Sequence, residues 1–102
     1  MTKYKAHRTK VDGIVFHSKK ESLRYSELKL LFRVGEIFDL AIQPEFEFKL
    51  NGKRMFRYIA DFSYTNKDGS SVTEDVKGVR TAVYRIKRKI IEEAYGIKIT
   101  EI

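Results

Sequence analysis

At 102 residues, with 42% hydrophobic and 34% charged side chains, the chain reads as one folded domain whose limited burial a homodimer would increase; no apolar run approaches a membrane span or a signal-peptide core, so a cytoplasmic setting is expected. Zero cysteines exclude disulfides, thiolate zinc sites and a cysteine nucleophile, and two histidines exclude a histidine-rich site, so any metal has to be carboxylate-bound. Lys+Arg outnumber Asp+Glu by 21 to 14, and the resulting +7 favours a polyanionic partner, nucleic acid first.

Residues 1–12 carry Lys3, Lys5, Arg8 and Lys10 with one acid, Asp12, and show no apolar period. They read as a flexible basic arm, either merely solvated or lying along phosphates, that precedes a single domain over 13–102. Gly13 to Phe16 forms a small strand, and a helix over 18–34 follows. Ser18 and Glu21 fit the S-x-x-E capping box, Tyr25, Leu28, Leu31 and Phe32 recur at helical steps, and Gly35 closes the end. Glu21 shares the stripe of Tyr25, so it either caps its own helix or points inward toward the sheet; spacing alone favours the cap.

From Ile37 to Leu50 apolar and polar residues alternate, with Pro44 marking an edge or a bend. Asn51-Gly52 signals a hairpin, and the chain returns through Phe56 and Tyr58 into a second strand. Asn66 to Gly69 turns it into a third, SVTEDVK, which completes an antiparallel meander. Strand parity puts Tyr58, Ala60, Phe62 and Tyr64 on one face and Asp61 on the other, and it separates Asp75 and Lys77 from Glu74. Antiparallel pairing then stands Asp61 beside Asp75. Two adjacent carboxylates repel unless a proton or a cation lies between them, and oxygen-only ligation suits Mg²⁺. Lys77 would meet the same site, whereas Glu74 faces away and its exchange for Gln is expected to be mild.

Thr81 caps a second helix that Gly96 ends, with Val83, Ile86, Ile90 and Ala94 as the expected buried stripe, widened by Tyr84, Ile91 and Tyr95. Arg85, Lys87, Arg88 and Lys89 crowd its first half while Glu92 and Glu93 come late, an order that opposes the helix dipole. Phosphate contact through Arg85, Lys87 and Arg88 explains that order; a solvated helix face is the alternative. Ile97 to Ile102 alternates as a closing strand. The expected fold is therefore α/β in the α+β sense, a mostly antiparallel meander flanked by two helices in the order β-α-β-β-β-α-β.

An acid in the first helix, Asp on one strand and acid-x-Lys on the next, with a helix after it, resembles the PD-(D/E)XK nuclease superfamily. FHSKKE, QPEF, YIADF, TEDVKG and YGIKITEI are similar to a small phage-associated family akin to junction-resolving endonucleases. The likeness covers residues 13–102 and implies a restriction-endonuclease-like core. Ala60 stands where the superfamily name has proline. By the resemblance Asp61 is the motif aspartate, Asp75 and Lys77 the acid-x-Lys pair, and Glu21 the acid of the first helix. The implied activity is Mg²⁺-dependent endonucleolytic hydrolysis of DNA, with Mn²⁺ as substitute, on branched phage DNA such as Holliday junctions, in the cytoplasm of a bacterial host. Asp61, Asp75, the Val76 carbonyl and Glu21 would hold metal, and Lys77 would orient the attacking water or touch the phosphate. Arg85, Lys87, Arg88, Lys3, Lys5, Arg8 and Lys10 would track the DNA backbone. Rival readings are a non-catalytic nucleic-acid-binding protein and a phage replication adaptor.

Overall fold

The structure, a computed structural model, describes residues 8–76 and 80–102. It opens on a hairpin in which β1 (Thr9–Val11) pairs antiparallel with β2 (Ile14–Phe16). Asp12 and Gly13 turn it with φ of +53° and +78°, the pair of left-handed residues a two-residue hairpin turn needs. The expected arm over 1–12 therefore does not reach its last residues, because β2 gives Thr9–Val11 a strand to pair with.

Helix α1 (Lys19–Arg33) begins at Ser18, whose hydroxyl accepts the Glu21 amide at 3.1 Å. It ends at Gly35 (φ +81°), where the Glu36 N–H donates to Leu31 O. Its buried residues are Glu21, Ser22, Tyr25 and Leu28, while Leu31 and Phe32, expected inside, are exposed. Tyr25 and Leu28 pack with Phe16, Ile37, Phe62 and Val76, the Phe16 ring lying 5.1 Å from Tyr25 and 6.3 Å from Phe62.

Both long strands of the meander break at one place. The first divides into β3 (Ile37–Ile42) and β4 (Glu45–Leu50), the second into β5 (Lys53–Ile59) and β6 (Phe62–Asn66). β4 and β5 form a two-stranded ribbon turned by Asn51-Gly52, and β3 and β6 belong to a separate four-stranded sheet. Two hydrogen bonds bridge the break, Gln43 N–H to Asp61 O at 2.9 Å and Ala60 N–H to Pro44 O at 3.0 Å. The sheet runs β3-β6-β7-β8, with β7 (Ser71–Asp75) antiparallel to β6 and β8 (Ile99–Glu101) parallel to β7. Because of the break, Tyr58 and Ala60 enter one hydrophobic cluster and Phe62 and Tyr64 the other, so these four do not share a face.

Helix α2 (Ala82–Tyr95) is capped by Thr81, which accepts the Tyr84 amide at 3.0 Å, and closed by left-handed Gly96. Ile91 is its buried residue, flanked by half-buried Tyr84, Lys87 and Arg88, and it packs with Tyr58, Ala60 and Ile99. The expected stripe is displaced: Val83 is 59% and Ile86 61% exposed. Aromatic and aliphatic stems fill the inner face in place of the regular Val/Ile period. Among the described residues the class is α+β, with two helices and mostly antiparallel sheets. No described helix is long and apolar enough to cross a membrane.

Candidate active site

Asp61 sits in the break itself, between β5 and β6. Its N–H donates to the Glu74 carbonyl at 3.0 Å and lies 3.2 Å from Asp75 Oδ1, and its own Oδ2 accepts the Val76 N–H at 2.6 Å. The β6–β7 register, Phe62 opposite Glu74, makes Asp61 and Asp75 the next facing pair, so the two acids do stand side by side. Asp75 is 0% exposed; its Oδ2 accepts the Tyr58 hydroxyl and its backbone O accepts the Ile102 N–H at 2.8 Å. Both carboxylates are thus oriented by donors from neighbouring segments before anything binds.

Glu21, 8% exposed on α1, lines the same cleft as Asp61, a space of about 590 Å³ that Arg8, Val15, His17, Gln43 and Ile59 complete. Ser18 caps the helix through the Glu21 backbone amide, while the Glu21 carboxylate, which a full capping box would turn back to the Ser18 N–H, lines the cleft, so its side chain follows the inward reading and not the cap that spacing favoured. Lys77, Lys3 and Lys5 lie outside the described residues.

Glu74 faces the other way, as parity requires, but it is no bystander. At 1% exposure it accepts two bonds from Arg24, at 2.8 and 2.6 Å, and one from the Tyr64 hydroxyl at 2.5 Å. This fork ties α1 to β7. Burial, followed by the bond to Glu74, pushes the Tyr64 hydroxyl up to about 12. Glu101, on β8, is held below the usual carboxylate range chiefly by the Tyr84 hydroxyl and then by Arg80.

The basic helix needs a correction. Arg88 turns inward, donates to Ile99 O at 3.0 Å and lies 3.6 Å from Glu92 and 3.9 Å from Glu101. Lys87 rests its ammonium 5.4 Å over the Phe56 ring. Of the three residues expected on phosphates, Arg88 therefore serves the fold, because β8 presents a carbonyl and a carboxylate to it. Arg85 stays exposed.

His17, Gln43 and Tyr58 escaped the sequence reading. For Gln43 the local signal pointed the other way, since a residue before proline is expected extended, yet here its φ is +54°, with its side chain donating to Val15 O at 3.3 Å. Tyr58 carried none, because only the fold brings it to Asp75.

Mg²⁺ prefers hard oxygen donors and often takes only one or two carboxylates, keeping several waters. Asp61 and Glu21 on one cleft fit that demand. Among the described residues no three His, Cys, Asp or Glu side chains gather into a ready-made metal group.

The fold and this cleft define a small α+β protein with an acidic cleft at a strand break. The chain belongs to the family described as "Protein of unknown function (DUF1064)", whose model matches residues 1–101. No curated protein and no solved structure matches it.

Proposed function

We propose that the chain is a divalent-metal-dependent endodeoxyribonuclease of PD-(D/E)XK type, acting on branched DNA. The observation that carries this reading is the meeting of acids from three segments: Glu21 of α1 shares a cleft with Asp61, and Asp61 leans on the Asp75 carboxylate of β7. A restriction-endonuclease-like core is supported by the same elements, with α1 and its acid ahead of a sheet in which β6 and β7 bring the two aspartates together. In this proposal Glu21 and Asp61 hold Mg²⁺, and Asp75, buried behind Asp61, fixes its position through the Asp61 amide. Mg²⁺ bound there would supply Lewis-acid activation of a water and neutralise charge on the phosphate oxygens. Arg8, at the cleft wall, provides a cation for the DNA backbone, a contact that positions the strand without reading sequence.

The deciding experiment incubates the protein with supercoiled, linear, single-stranded and four-way-junction DNA in Mg²⁺ or Mn²⁺. Metal-dependent scission strongest on the junction is expected, and chelation should stop it. Retention of every DNA without scission in either metal would make the chain a binding module instead.

Glu21 gives a sharper result. Because its amide caps and its carboxylate faces the cleft, Glu21→Gln should change stability by well under about 1 kcal/mol. Cleavage should fall by about 10²-fold or more while DNA binding persists. Full activity at saturating Mg²⁺ would leave Glu21 a structural residue.

A further inference from the structure

We infer that the cleft beside Asp61 takes one unstacked, unpaired nucleotide next to the scissile phosphate, and that Gln43 is the residue that senses it as unpaired. The inference rests on the nuclease reading and names the substrate feature which that site selects.

Gln43 holds a backbone conformation that its own sequence position opposes. Its φ of +54° lies in the left-handed region, whereas a residue before proline is driven toward extended backbone, so the surrounding contacts impose the turn. Its N–H is fastened to Asp61 O at 2.9 Å, and its Nε2 donates to Val15 O at 3.3 Å. Glycine accepts such a φ freely and would make the same turn without strain. A glutamine there brings a carboxamide to the cleft wall instead. With Nε2 turned to Val15, Oε1 is the atom left for a ligand, and no described residue donates to it.

The rest of the cleft suits a base. Val15 of β2 and Ile59 of β5 line it and are 45% and 46% exposed, two aliphatic surfaces beside the acids. Metal chemistry on a phosphate has no use for them, whereas the face of a base drawn out of its stack does. The space of about 590 Å³ has the size of a small-molecule pocket, which admits one nucleotide and not a duplex. Oε1 then supplies the contact to the base edge. Each of the four bases carries at least one N–H on its Watson–Crick edge, and in a duplex the complementary base takes it. An acceptor at this place therefore separates unpaired from paired nucleotides without reading sequence. A branch point, where stacking is interrupted, releases such a nucleotide at low cost.

Two oligonucleotide duplexes test the site, identical except that a 2-aminopurine is bulged in one and paired with thymine in the other. Stacking quenches the fluorescence of this base, and leaving the stack raises it. With Ca²⁺ in place of Mg²⁺, the wild type is expected to raise the fluorescence of the bulged duplex at saturation and to bind it about tenfold or more tighter than the paired one. Gln43→Gly keeps the left-handed turn and should hold the melting temperature, yet it should lose most of that preference. Val15→Ala with Ile59→Ala should lose it too. Binding of the paired duplex, carried by phosphate charge, should change little in either variant, and circular dichroism checks their folds. Equal wild-type affinity for the two duplexes, a bound bulge without a rise, or a folded Gln43→Gly that keeps the whole preference overturns the inference. Cleavage of both duplexes in Mg²⁺ separates this inference from the nuclease reading. A rise without scission keeps the nucleotide site and removes the nuclease, whereas equal scission of both duplexes without a rise does the reverse.

Discussion

Asp61→Asn is expected to lower DNA cleavage by at least about 10³-fold while the protein still folds. The amide keeps the shape of the carboxylate, and its oxygen can still accept the Val76 N–H that Asp61 Oδ2 now takes at 2.6 Å. What disappears is the charge that a divalent cation needs. Removing one of two neighbouring carboxylates also relieves their repulsion, so the melting temperature should hold or rise. Asp75→Asn should cost activity too, but it differs in stability. Asp75 is fully buried and its two oxygens take the Asp61 amide and the Tyr58 hydroxyl, so an amide nitrogen must replace one acceptor there. Single-turnover cleavage in Mn²⁺ together with thermal melts checks both variants. An Asp61→Asn protein that cuts at the wild-type rate would remove the carboxylate pair from the chemistry.

The largest loss of stability is expected at the opposite face of β7. Arg24→Ala strands a carboxylate that is 1% exposed and keeps only the Tyr64 hydroxyl as a described partner, and a buried charge so deprived costs about 3–5 kcal/mol. Glu74→Gln should cost less, about 2–3 kcal/mol, because the Arg24 side chain remains 23% exposed and can turn to water, and the Gln oxygen still accepts one bond. A variant carrying Leu at both positions should recover part of the loss, since an apolar pair leaves no charge buried. Denaturant melts of the three variants decide the matter; if Arg24→Ala proves no worse than Glu74→Gln, the fork is not what fastens α1 to the sheet. Cleavage by Glu74→Gln, assayed well below its melting point, should stay near wild type. The mild effect anticipated for Glu74 therefore applies to chemistry and not to stability.

Local signals were legible in the chain. Ser18 and Thr81 cap as their types suggest, Asn51-Gly52 turns its hairpin, and strand parity separates Asp75 from Glu74. What local pattern could not supply was any feature made by a partner segment. The alternation through Tyr58, Ala60, Phe62 and Tyr64 is unbroken, so it reads as one strand; the break comes from Pro44 on the neighbouring strand. On α2 the Val/Ile period is the strongest apolar signal, yet the core takes Tyr84 and Ile91. Neither the Arg24–Glu74 fork nor the Tyr58–Asp75 bond has a sequence signature, because each joins residues from different elements. Ala60 itself becomes intelligible only in the fold. Its N–H donates to Pro44 O and the residue is fully buried, so a proline there would lose that bond and find no room for its ring.

Because β4 and β5 leave the main sheet at the same rung, the ribbon beyond that rung is a module with its own register. Residues added in facing pairs at the Asn51-Gly52 tip would lengthen the ribbon and leave Gln43 opposite Asp61, and Ala60 opposite Pro44. Reach at the tip and geometry at the cleft can therefore vary separately, whereas a single residue inserted between Pro44 and the tip would have to be absorbed as a bulge before it reached Asp61.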